Sequence, residues 1–351
     1  MKLRFIIFTS FMLMGKIFAQ NNYAVALIPD SLKDGAQAVV REQKEFLLQK
    51  DNHNGVYKCS KVITIFNAKG LNRANFIVRT DDFQELKSFS GEVFDASGKS
   101  IKKMKQKDLQ TLQLTASYEL ITNIKTIYYE YHSPRFPFTI KYEWELKLKD
   151  GILYYPSFAP ITAFDIALQY AEYMLQVPDG QIIRYKNVST DVQPLINGNR
   201  YFWKVENLKP IEYERFAPSN SVVPIVYLAP EDFCVQNACG NMKTWENYGN
   251  WLSKLQKDRD ILPENIKKKV KELTQNMSDT REKVKILYDF MQKTTHYVSI
   301  QLGVGGWQSI AASEVARTGF GDCKALSNYM KALLAIAEIP SFYTVLIFKT
   351  V

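Results

Sequence analysis

Histidine is scarce in this chain of 351 residues, which holds only His53, His132 and His296. Chemistry that needs an imidazole base therefore has three positions from which to draw one. Cysteine is nearly as sparse, at four. Cys234 and Cys239 stand close together in Cys-Val-Gln-Asn-Ala-Cys, but no histidine lies near them in sequence, and two ligands fall short of a zinc site. No acidic loop of EF-hand spacing occurs, so neither a metal nor a cofactor is expected. The chain also lacks internal repeats, low-complexity tracts and any apolar run of membrane-spanning length. Its apolar stretch from Phe5 to Met14 is interrupted by Thr9 and Ser10 and soon gives way to Gln20-Asn21-Asn22.

That short run has a different meaning. Lys2 and Arg4 precede it and Ala19 follows it, so residues 1–19 have the form of a signal peptide with a cut before Gln20. Export to a periplasm or beyond is expected, with no integral membrane span afterwards and no cysteine placed to take a lipid anchor. The formal charge of +9 falls to +6 once the three basic residues of that segment are gone. This charge is spread along the chain. The densest cluster, from Lys99 to Lys107, follows a turn at Asp95-Ala96-Ser97-Gly98 and reads as lysines blunting an exposed strand edge rather than as a nucleic-acid patch. In an exported protein Cys234 and Cys239 either close a local disulfide or remain two thiols, and Cys59 reads as core.

From about Val56 to Tyr213 strand signals dominate. Phe138, Ile140, Tyr142, Trp144, Leu146 and Leu148 alternate strictly with polar residues, which predicts a long strand with one face buried. Residues 61–66, 76–78, 127–131 and 201–205 read as further strands. No helix-period segment alternates with them, so parallel βαβ units are not expected and an antiparallel β-sandwich over 20–215 is. The aromatic residues of these strands read as core. A proline-bearing irregular stretch, 216–244, reads as a linker, and 245–351 as helical α+β material. Within it Asp279 to Thr294 is predicted as a helix with Val284, Leu287, Tyr288 and Met291 inward. Lys267-Lys268-Lys269 with Lys271 falls on the wet face of another.

The segment Gly319-Phe320-Gly321-Asp322-Cys323-Lys324 leads into an amphipathic run, with Leu326, Met330, Leu333, Leu334 and Ala337 on one stripe. Asp322 is a good N-cap, which puts Cys323 on the first turn. There the unpaired N–H groups, the helix dipole and Lys324 all favour a thiolate, and hence a nucleophile. Upstream lie Tyr297-Val298-Ser299-Ile300, Gly303-Val304-Gly305-Gly306-Trp307-Gln308 and Ala311 to Val315. Downstream, Ile339 to Ile347 reads as a strand.

This order, over about residues 280–351, resembles the core of the transglutaminase-like superfamily, relatives of papain-type cysteine proteases. The β region, through Thr126–Tyr131, the strand to Leu148, Tyr154-Tyr155-Pro156 and Val177-Pro178-Asp179-Gly180, is similar to the domain of unknown function that precedes such cores in exported bacterial proteins. The resemblance implies an α+β multidomain chain, with Cys323 as nucleophile attacking a protein or peptide amide. Trp307 or Gln308 would assist the oxyanion, beside the backbone N–H of Cys323, and Asp322 would support the helix start. It also places the base histidine and its aspartate after the central helix, beyond Val351. His296 lies upstream of the cysteine and reads as a surface residue at a strand end. The expectation is a C-terminally truncated transglutaminase-like protein, inactive as it stands. The alternative is a non-enzymatic periplasmic binding or assembly module whose cysteine domain is a relic.

Overall fold

The computed structural model describes residues 23–113, 119–121, 123–133, 135–212, 215–216, 222–300 and 302–346. The expected signal peptide, residues 217–221 of the expected linker and residues 347–351 lie outside them. The architecture is mixed α+β and rich in strands. It divides into two compact units, one of Met1–Leu112 with Lys125–Phe233 and one of Gln113–Ile124 with Cys234–Val351.

The first unit is built on β1 (Ala38–Gln49), β2 (Gly55–Ile65), β3 (Phe76–Thr80), β4 (Gln84–Phe94), β5 (Ser100–Lys105), β6 (Gln110–Leu112), β7 (Lys125–Tyr129), β8 (Phe138–Leu148), β9 (Ile166–Gln176), β10 (Ile183–Val188), β11 (Leu195–Asn197), β12 (Arg200–Leu208) and β13 (Ile225–Pro230). Eight of them form one sheet in the order β11-β12-β9-β1-β2-β8-β4-β5. The register stacks Trp203, Tyr173, Glu45, Cys59, Trp144 and Phe89 in one row across six strands. One residue along, the row is Lys204, Glu172, Lys44, Ser60, Glu143, Ser90 and Lys105. Since successive side chains leave opposite faces, the first row is interior and the second wet. Smaller sheets cover the interior row. Phe76 of β3 packs on Phe89, Tyr142 and Trp144 with ring centroids 4.5–5.5 Å apart. Tyr185 of β10 meets Trp203 edge-on at 5.8 Å.

The strict alternation predicted for 138–148 is the strand β8, with Tyr142 and Leu146 buried. Cys59 is a buried free thiol, as expected of a core residue. The lysines from Lys99 to Lys107 include those of β5, which is the sheet's edge. The antiparallel expectation needs one correction, because β1 and β9 are parallel. The long excursion through β2 to β8 brings β9 back alongside β1 without a crossover helix, and its length meets the reach that a parallel pair requires. The expected irregular stretch 216–244 also contains strands. Ile225–Pro230 pairs with β10 on one side and bridges Phe158 through Val226 on the other, with Pro230 at the strand end where the missing N–H costs little.

The second unit holds the helices α1 (Trp245–Gln256), α2 (Glu264–Thr274), α3 (Thr280–Thr294), α4 (Ala312–Thr318) and α5 (Cys323–Ile336). Helix α5 is the hub, packing on α2, α3 and α4. Its buried face is Ala325, Tyr329, Ala332 and Leu333, with Leu326, Met330 and Leu334 at the margins. In α3 the carboxylate of Asp279 accepts from the N–H groups of Arg281 and Glu282 and so caps the predicted helix. The predicted inner face is turned, however: Leu287 and Met291 are buried while Tyr288 faces solvent. No helix among the described residues is long and apolar enough to cross a membrane.

One buried charge sets a pH dependence in the first unit. Glu45 accepts from the Tyr57 hydroxyl at 2.5 Å and from Nε2 of Gln43 at 2.6 Å. Burial nevertheless pushes its carboxyl up to about 7, the two hydrogen bonds opposing the rise. A raised folded-state pKa favours the fold below the unfolded value and loses that contribution as pH climbs through 7. Stability should therefore fall by on the order of 3 kcal/mol from Glu45 between about pH 4.5 and pH 8. Denaturation of Glu45→Gln across that range should show a flatter profile, and an unchanged slope would refute the assignment. In the second unit, Leu333→Ala should cost about 2–5 kcal/mol in the same measurement, as a fully buried leucine on the hub helix.

Candidate functional site

The thiol of Cys323 sits where Asp322 fixes the start of α5. Asp322 is 1% exposed, and its Oδ1 accepts from the Ala325 N–H at 2.9 Å. Its other oxygen pairs with the ammonium of Lys324. A buried carboxylate needs such partners to be tolerated, and these two satisfy it. Before the cap, Gly319 adopts φ 73° as the left-handed terminus of α4, and the chain turns into β17 (Phe320–Gly321). Cys323 itself is exposed.

A two-stranded parallel pair borders the turn. In the strand β16 (His296–Tyr297), His296 lies opposite Phe320 and Tyr297 opposite Gly321. The His296 N–H donates to the Gly319 carbonyl at 2.7 Å, and the Val298 N–H to that of Gly321 at 3.0 Å. Alternation sends the two side chains of β16 in opposite directions. His296 packs against the Phe320 ring at 5.7 Å, whereas the Tyr297 phenol lies near enough to Cys323 and Asp322 to feel both. Burial, then the neighbouring Cys323 and Asp322, hold the Tyr297 phenol above its ordinary pKa. Tyr343, beyond the end of α5, is raised by burial and by the same two residues. Both tyrosines were visible in the sequence, Tyr297 as the head of the Tyr-Val-Ser-Ile motif, but nothing local marks them as neighbours of the thiol.

Trp307 and Gln308 occupy a tightly held turn. The 3-10 turn Gly303–Gly306 precedes them, with the Val304 N–H donating to Oε1 of Gln236. Gln236 is the tip of a hairpin, β14 (Asp232–Val235) and β15 (Ala238–Asn241), which a Cys234–Cys239 disulfide closes. That bond settles the state of the two cysteines and removes both thiolates from metal ligation. Gln308 donates from Nε2 to the Leu255 carbonyl at 2.9 Å and accepts from Arg259 at 2.8 Å, so both ends of its amide are engaged. The Trp307 indole lies edge-on to Trp251 at 6.5 Å, and its carbonyl accepts from Gln256. The strand expected over 339–347 is not formed among the described residues 339–346, where no neighbouring strand offers a ladder.

Residues 51–212 match the family described as "Domain of Unknown Function with solved-structure structure (DUF3857)". No curated protein matches the chain. Among solved structures, one of a "putative protease" from Parabacteroides distasonis is similar with a TM-score of 0.63 at 17% identity, over 87% of this chain and 59% of that one. This chain thus spans about three fifths of that protein, and at such identity the likeness is one of fold. A yeast LTA4 hydrolase bound to bestatin matches 54% of this chain and 28% of its own at 8% identity, with a TM-score of 0.28, too low to carry an argument. The comparisons thus set a domain matching DUF3857 ahead of the unit that carries Cys323.

Proposed function

We propose that this is an exported, transglutaminase-like protein whose second unit carries the nucleophile half of a cysteine-dependent acyl transfer or hydrolysis of protein or peptide amides. The observation that carries this reading is the exposed Cys323 thiol on the first turn of a 14-residue helix, with a buried carboxylate cap fixing its place. A first-turn N–H that the helix itself does not use, beside a nucleophile, is what an oxyanion needs, and a solvent-facing thiol is what a polypeptide substrate can reach. The likeness of fold to a protein described as a protease and the domain matching DUF3857 support the same reading.

Amide chemistry also needs a base. The unit that carries the thiol has one histidine in its sequence, His296, and it faces Phe320 instead. That observation favours, as the second reading, a binding or assembly module in which the chain by itself turns nothing over. Alkylation separates the site from its absence. Cys323 should react with iodoacetamide at about pH 6.5 several-fold faster than a small free thiol, with Cys323→Ser losing the label. Asp322→Ala should slow the reaction and lower stability by about 1 kcal/mol as the cap is lost. A rate no faster than that of the free thiol would sink the nucleophile.

A further inference from the structure

Val304 ties two parts of the second unit together. Its N–H donates to Oε1 of Gln236 at 3.1 Å, and its carbonyl accepts from the N–H groups of Trp307 and Gln308, both at 2.9 Å. One residue thus holds the hairpin tip on its donor side and the Trp307–Gln308 turn on its acceptor side. Three of the four residues in Gly303–Gly306 are glycine, so this backbone has wide freedom and an outside tie decides its conformation. The tie is a close one. An added Cβ at Gly303 would meet the Gln236 side-chain amide at 2.6 Å.

Gln236 is itself held in an unfavourable conformation. Its φ of 51° lies in the left-handed region, which a residue with a Cβ enters at a cost. Such a residue stays there when its surroundings over-determine it, and here the Cys234–Cys239 bond closes the hairpin around it. With a sequence separation of only 5, that bond closes a loop too short to take much entropy from the unfolded chain. Its effect is therefore local, on the tip that reaches Val304. The two cysteines also differ in access, Cys234 being buried and Cys239 exposed, so a thiolate in solution has a sulfur to attack.

We propose that the Cys234–Cys239 disulfide is a redox-sensitive latch on the Trp307–Gln308 turn, closed when oxidised and released by a dithiol reductant. One thiolate of the dithiol forms an S–S bond to Sγ of Cys239, while Sγ of Cys234 leaves with the bonding pair and takes up a proton. The second thiolate then closes the reductant's own disulfide and displaces Sγ of Cys239, which takes up a proton in turn. Two electrons pass from the dithiol to the hairpin. The freed tip relaxes out of the left-handed region, and Gln236 gives up the Val304 N–H. The latch stands whether or not Cys323 is a nucleophile.

Hydrogen exchange across 303–309 in the full chain, read by mass spectrometry with and without dithiothreitol, tests this. Gln236→Ala keeps the disulfide and deletes only the amide. In the wild type, exchange across 303–309 should speed about fivefold or more on reduction and slow again on reoxidation, while α5 keeps its protection. The Gln236→Ala chain should exchange fast in the oxidised state already, with reduction adding little. No response of the wild type to reduction would overturn the proposal. So would an equal response in Gln236→Ala, because the bond would then act by another route. Loss of protection in α5 at the same time would make the bond a staple of the whole unit, and exchange that stays fast after reoxidation would make the release irreversible; both outcomes overturn the latch as well.

Discussion

The buried carboxylate of Asp322 is the contact on which the thiol unit depends. A carboxylate that is 1% exposed survives only with its charge matched and its oxygens bonded, and here the Lys324 ammonium and the Ala325 N–H do both. The cost of breaking either contact fixes the residue at which α5 begins, and so the residue that stands on its first turn. Everything else at the site is measured from that point. Tyr297 reaches Cys323 because β16 is in register with Gly321, one residue before the cap. The hub helix carries the constraint inward through Asn328, whose Nδ2 donates to the Arg259 carbonyl at 2.7 Å. Arg259 in turn holds Gln308 and accepts from the N–H of Ala312 at the start of α4.

What could be read from the sequence was whatever a local rule controls. The strand β8 was legible because a strict period of two requires one buried face, and α3 because Asp279 is a cap of a known kind. The central strand β1 was not. Its run Arg41-Glu42-Gln43-Lys44-Glu45 is polar on both faces and poor in β-formers, so neither alternation nor propensity announces a strand. It is a strand because β2 and β9 pair with it along most of its length, a fact of register that lies in no local window. Glu45 is in the interior for the same reason. Its row has Tyr173 on one side and Cys59 on the other, and a carboxyl there is tolerated by the Tyr57 and Gln43 donors and by taking up a proton.

The same distinction runs through the site. Cys323, Asp322 and the helix after them follow from a capped amphipathic pattern. Trp307 and Gln308 were singled out for donors they do possess, but side-chain inventory says nothing of where a donor is spent. Gln308 spends its own on Leu255. Tyr297 has no sequence signal of its own. Only the parallel pairing of two strands of two residues brings it to the thiol, and strands so short carry no period to detect.

The turn that carries Trp307 and Gln308 and the strand that carries Tyr297 also differ in how firmly they are held. The turn that carries Trp307 and Gln308 is tied from three directions, by Gln236 at Val304, by Gln256 at Trp307 and Ser309, and by Leu255 and Arg259 at Gln308. At Gly303, with φ 53°, an added Cβ would come within 2.6 Å of Gln236, so even the approach of the disulfide-closed hairpin is specified. The Tyr297 side is an exposed strand end. The hub helix has its own core in Leu262, Val270, Leu287, Val315 and Leu333, so the start of α5 is anchored by packing within its own unit.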